Sequence, residues 1–223
     1  PPAARVDLIL PAACVEAAPS LNLGRGFYFE GVSKESAELW LWMARNRLNT
    51  TSYRPATGPL GHKLGMHMHI GGHIFEEILN PDRYLPSGRT LWAEHPAWYG
   101  LPPDGVRQRD RALATQFCVA QPDLIEFLGA EVLKRVMGDW YQADRIDIWG
   151  FDTWGHTCAC PGCVALGNST DQMLAFLAGL RDYLNRARAD GRLDHDVRLV
   201  GCAYEGTATL IGPEHPIPPN LLA

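Results

Sequence analysis

Apolar and polar positions along this chain switch repeatedly between a two-residue and a 3.6-residue period, and each switch predicts an element. Gly26-Phe27-Tyr28-Phe29-Glu30-Gly31 reads as an aromatic strand ending on a carboxylate and a glycine. Ser33, Glu35 and Ser36 then open a helix that Leu39, Trp42, Met43 and Arg47 continue at helical spacing. Asn49 to Tyr53 predicts a strand or a strand edge, and the Pro- and Gly-rich stretch from Arg54 to Gly61 a loop. Lys63 to His69, KLGMHMH, alternates by twos as a strand does, and runs into Gly71-Gly72-His73, a turn able to approach a ligand closely. Pro122-Asp123 opens a helix with Leu124, Ile125, Leu128, Val132, Val136 and Met137 on one face. Ile146 to Trp149 has strand length and leads to Asp152. Ser169, Thr170 and Asp171 cap a further helix carrying Met173, Leu177, Leu180 and Leu184, which stops at Asp190-Gly191. Val197 to Tyr204 is a last apolar strand, followed by Glu205.

Two stretches lack such periods. Residues 1–24 are Pro- and Ala-rich, hold one short strand candidate at Val6 to Leu10, and read as an extension or linker. Residues 80–122 are dense in Pro, Gly and aromatic side chains, and so long an irregular segment inside a domain is usually functional. The alternation elsewhere predicts an α/β fold with a parallel sheet over residues 25–223. About five β/α units are legible, whereas a closed eight-fold barrel takes about 250 residues. The expectation is therefore a (β/α)8-type (TIM) barrel or, preferred here, a partial barrel of that type with a Cys-rich loop.

Composition narrows the partners. The 223 residues are 46% apolar and 20% charged, enough for one domain with a real core. Net charge is −5 and the 20 Lys and Arg are scattered, which argues against a nucleic-acid surface. No apolar run reaches the roughly 20 residues of a membrane span. The start lacks the charged and apolar regions of a signal peptide, and it begins on Pro, so a trimmed piece is expected and localisation is not legible.

The candidate chemistry lies in RIDIWGFDTWGHTCACPGC, residues 145–163. Cys158, Cys160 and Cys163 supply three thiols of a tetrahedral site that needs four. Cys118, His156 or Cys202 could complete it; Cys118 is preferred, because its segment leads through a helix to the strand before the knot. A closed four-thiolate site would be structural and would suit zinc. Disulfide formation within C-x-C or C-x2-C is the alternative. Glu30, Asp152 and Glu205 each follow a predicted strand, and parallel neighbouring strands would point all three into one bowl. Paired acids with aromatic side chains to stack on sugar rings are the equipment for glycosidic bond cleavage. Asp152 is the candidate general acid/base, Glu205 its partner and Glu30 a third acid, with His69, His73, His95, Trp154 and Tyr204 lining the sugar site. Acids at strand ends also serve simply as helix caps or Arg partners. His67 and His69 share a strand face, an arrangement read as hydrogen bonding rather than as a catalytic metal pair.

The order of these pieces resembles the DUF4838 family, a bacterial family of glycoside-hydrolase-like barrels. The resemblance rests on Gly72-His73-Ile74-Phe75, His95-Pro96-Ala97-Trp98-Tyr99, Gln116-Phe117-Cys118, Gln121-Pro122-Asp123, Asp152 ahead of the three clustered cysteines, and Ala203-Tyr204. It covers roughly residues 25–210. It implies a (β/α)8-type domain, related in style to α-glucuronidases and hexosaminidases, with a cysteine at position 118 and a carbohydrate partner. It further implies a secreted or periplasmic setting and additional domains in the parent chain.

Overall fold

The computed structural model describes residues 37–54, 58–154, 156–204 and 212–221. The predicted strand over 26–31, the candidate at 6–10, and both Glu30 and Glu205 lie outside the described residues.

Helix α1 (Ala37–Arg45) is followed by strand β1 (Thr50–Ser52), helix α2 (Gly58–Lys63) and strand β2 (His67–Gly72). Helices α3 (Ile74–Ile78) and α4 (Leu91–Glu94), a 3-10 turn at Pro96–Trp98 and another at Arg109–Arg111 occupy the long connection. Helix α5 (Pro122–Val136), strand β3 (Arg145–Ile148), helices α6 (Pro161–Val164) and α7 (Ser169–Ala189) and strand β4 (Arg198–Gly201) complete the alternation. The four strands form one parallel sheet in the order β1-β2-β3-β4. Strands that neighbour in sequence order, all parallel, wind in one direction, as in the wall of a barrel; a doubly wound sheet would reverse. The fold is mixed α/β with a four-strand parallel sheet among the described residues, the coarser of the expectations above; a closed barrel is not what they form.

The register sorts the two faces. Thr51 pairs with Met68, and Ile70 with Ile146, while Asp147 pairs with Val200. Directly paired residues share a face. Thr51, Met68, Ile146 and Ile148 are buried on the helix side. Leu124, Leu128, Val132 and Val136 of α5, with Phe176, Leu180 and Leu184 of α7, complete that core. Each such side chain contributes about 1.5–3 kcal/mol on burial. The opposite face carries the polar Ser52, His69 and Asp147 together with the exposed Val200, a set that does not belong to that core.

Three local readings change. In α1 Trp40, 1% exposed, is buried alongside the expected Met43, while Trp42 is 48% exposed. The loop expected before β2 is partly helix α2, because its glycines serve packing: a Cβ on Gly61 would meet the Trp40 ring at 2.6 Å. Strand β2 begins at His67 rather than Lys63 and runs through Gly71 and Gly72 instead of turning there. Gly71 has φ 126°, and a Cβ there would lie 2.2 Å from the Asp147 carbonyl oxygen, so close approach to β3 is what requires glycine.

The long connection after β2 is packed, not loose. Phe117 lies edge-on to Phe75 at 5.6 Å, to Phe151 at 5.3 Å and to Phe176 at 4.7 Å, joining the ends of β2 and β3 to α7. Arg83 on that connection engages Glu131 of α5 at 2.8 Å and so fastens it to the helix, while Arg135, within α5, holds the same carboxylate at 2.9 Å.

Candidate functional site

The thiol cluster is built by two connections meeting beyond the carboxyl end of the sheet. Gln116 enters first. Its side-chain amide donates to the Phe151 carbonyl and its side-chain carbonyl accepts from the Phe151 N–H, both at 2.8 Å, as a strand residue would. Its own backbone N–H donates to the His156 carbonyl at 3.0 Å. Two residues on, the Cys118 N–H donates to the Trp98 carbonyl at 2.8 Å, which sets the thiol facing the segment after β3. On that segment Pro161 starts α6 with its fixed φ, Cys160 stands at the N-cap, and the Cys163 N–H points back at the Cys160 sulfur at 3.4 Å. The Leu101 N–H donates to the Cys158 sulfur at 3.3 Å.

The result is that Cys118, Cys158, Cys160 and Cys163 hold their Sγ atoms within 4.8 Å of one another. Cys118 lies 3.5 Å from Cys160 and 3.7 Å from Cys163. A tetrahedron with metal–sulfur bonds of about 2.3 Å has edges of about 3.8 Å. The donor set therefore fits a tetrahedrally bound metal ion, with all four positions taken by protein. All four are free thiols, three of them buried. Their protons are unevenly held. Hydrogen bonds from Cys118 and Cys163, with the Leu101 and Cys160 amides, hold the Cys158 thiol far below the ordinary range. Cys118 is pushed up to about 12, chiefly through its bond to Cys158, and Cys163 is pushed up by its bonds to Cys118 and Cys158. One thiolate forms readily; further ones would place like charges side by side in a desolvated site. A cation removes that conflict, so these four residues together could hold a metal ion.

A second group gathers on the strand-end rim next to this knot. His73, just after β2, donates through Nδ1 to the Gly150 carbonyl at 2.7 Å and lies edge-on to Trp149 at 5.0 Å. Tyr204, three residues after β4, is 6.2 Å from the His73 ring and donates its hydroxyl to Asp152 at 3.3 Å. The exposed Asp152 presents its backbone N–H to Glu76 at 2.6 Å. On the polar face of the sheet, His69 and Asp147 pair at 2.7 Å, with side chains 17% and 12% exposed. They line a cavity of about 170 Å³ together with Ser52, Tyr53, Arg54 and Trp149. An imidazole oriented by a carboxylate beside an indole face is equipped for proton transfer and ring stacking.

The expected residues thus part company. Asp152, His73 and Tyr204 come together on the rim, and His69 joins the cavity below it. Trp154 points outward, 87% exposed. His95 stacks flat on Trp98 at 3.8 Å, and Trp98 donates to Asp123 at the start of α5, so His95 is seated on the connection and not among the rim contacts described. Asp147, Trp149 and Glu76 were not named as site residues from sequence, and Gln116 entered only as part of the motif Gln116-Phe117-Cys118. Asp147 and Trp149 were legible in principle, since alternation in Ile146-Asp147-Ile148-Trp149 puts both on the face opposite the isoleucines. The pairings that Glu76 and Gln116 make carry no local signal, because their partners lie 76 and 35 residues away.

No helix among the described residues is long and apolar enough to cross a membrane. No curated protein matches the chain, and no solved structure matches it. A family profile described as a domain of unknown function, DUF4838, matches residues 24–191. That match takes in α1 through α7 with the whole thiol cluster, and the chain belongs to the DUF4838 family.

Proposed function

We propose that this domain cleaves glycosidic bonds in a poly- or oligosaccharide at the carboxyl rim of its sheet, with a structural zinc ion in the thiol cluster. One observation carries the reading: three successive parallel strands deliver His73, Trp149 with Asp152, and Tyr204 to a single rim, beside a cavity lined by His69 and Asp147. Ligand chemistry at the carboxyl ends of parallel strands is the rule for such sheets. Asp152 is the proposed general acid/base, with Glu205 as partner carboxylate and Glu30 third, both outside the described residues. Trp149 and Tyr204 offer stacking surfaces, and His69, His73, His95 and Trp154 are proposed to contact sugar from the rim and its flanks. The zinc would pin Cys118 to the Cys158–Cys163 segment and so hold the loop that carries Asp152; four protein ligands leave no open coordination position for chemistry.

The test is turnover of a panel of aryl glycosides and oligosaccharides by wild type and Asp152→Asn. Loss of turnover with an unchanged melting temperature is expected. Turnover equal to wild type in the variant refutes the role of Asp152. Saturable glycan binding with no turnover on any member would replace hydrolysis with a binding function for the same rim.

A further inference from the structure

The amino-terminal edge of the sheet, remote from the rim, carries an unexplained concentration of positive charge. Arg145 and Arg198 are register partners on β3 and β4, so their side chains leave the same face side by side. Like charges directly opposite on neighbouring strands repel and are destabilising. Neither guanidinium has an ion-pair partner among the described residues. Both line a cavity of about 290 Å³ together with His62, His67 and His195. The acids that line it are turned to other tasks. Asp144 accepts the Met68 N–H at 2.7 Å and faces His62 at 3.2 Å. Asp196 pairs with Arg181 at 3.3 Å and Arg188 at 3.4 Å. His195 adds a further feature: Nδ1 meets Asp194 at 2.7 Å, while Nε2 is buried with no partner among the described residues.

We infer that this cavity is a second binding site, specific for a tetrahedral oxyanion, the phosphate or sulfate group of a small ligand. Arg145 and Arg198 grip the anion as two planar forks, which match its oxygens two at a time. His67, one pleat before His69 on β2 and on the same face, closes the third side. The anion cancels the repulsion between the guanidiniums, so binding and stability are coupled. The site is independent of the glycosidic reading and stands or falls alone.

Titration calorimetry with inorganic phosphate and inorganic sulfate tests it, on wild type, Arg145→Gln, Arg198→Gln and Arg145→Lys. Each Gln variant is expected to weaken binding about tenfold or more, and the Lys variant less. Melting curves give a second readout that a merely structural arginine would move the other way. In anion-free, low-salt buffer Arg198→Gln should melt above wild type, and a fixed phosphate concentration should raise the melting temperature of wild type more than that of either Gln variant. Glucose 6-phosphate binding more tightly than phosphate would mark an ester as the source, and equal binding the free ion. No saturable heat with either anion, or affinities unchanged in both Gln variants, overturns the site.

Discussion

Gln116 offers the sharpest quantitative test of how the domain is held together. It is 5% exposed and its two amide bonds satisfy the N–H and C=O of Phe151, itself 1% exposed. Gln116→Met keeps the length and volume of the side chain while removing donor and acceptor together. The buried Phe151 N–H is then orphaned at about 1–3 kcal/mol, while its carbonyl keeps the Thr153 N–H at 2.9 Å and loses only its second bond, at about 0.5–1.5 kcal/mol, roughly 3 kcal/mol in all. Burying a thioether in place of an amide returns about 2 kcal/mol. The net expectation is a loss of about 1 kcal/mol, which at an m-value of about 2 kcal/mol/M lowers the urea midpoint by about 0.5 M. Because Gln116 and Cys118 anchor the same connection, the loss should be non-additive with metal removal in a double-mutant cycle. An unchanged midpoint would refute the reasoning, since it would mean that the Phe151 backbone finds other partners at no cost.

Other outcomes follow from the same geometry. Mass spectrometry under native conditions should find one zinc per chain, and Cys158→Ser should lose it. Its metal affinity should fall by more than the roughly 100-fold cost of an outer-shell change, and its melting temperature should drop to that of chelated wild type; a metal-free wild type prepared with zinc present would exclude the centre. Gly71→Ala combines a φ of 126° with a Cβ 2.2 Å from a backbone oxygen. It should cost at least about 3 kcal/mol by urea unfolding, and a wild-type midpoint would show that β2 and β3 can separate freely. Burial raises the carboxyls of Glu131 and Asp171. Arg83 and Arg135 more than offset this for the first, and the Glu214, His215 and Asn168 amides do so for the second, so both stay below the ordinary range. Both depressed values add stability that is complete above about pH 4 and is lost as pH falls through them. Asp171→Asn should therefore be less stable than wild type at neutral pH and should show a flatter decline in acid; parallel curves would refute the assignment.

Much of the architecture was legible because it rests on local periods. The 3.6-residue repeat from Leu124 to Val136, the start of α7 at Ser169 to Asp171, although Asn168 and not Ser169 is its N-cap, and the isoleucines of β3 were each legible locally. A chain that alternates such segments must make a parallel sheet, since only a crossover helix returns a strand in the same direction. The three cysteines within six positions likewise announce one local site, and the path of the chain was enough to choose Cys118 as the fourth.

Only the tertiary structure decided the rest, and the reason is sequence distance. That Trp40 and not Trp42 turns inward depends on α2, whose Gly61 leaves room for the indole. That Gly71 continues a strand depends on the carbonyl of Asp147 across the sheet. The pairings Gln116 to Phe151, Glu76 to Asp152 and Tyr204 to Asp152 join residues whose separation in sequence no local period can encode. The pattern along the chain determines which face each segment buries; which faces meet, and which polar groups they bring together, is set by packing among segments far apart.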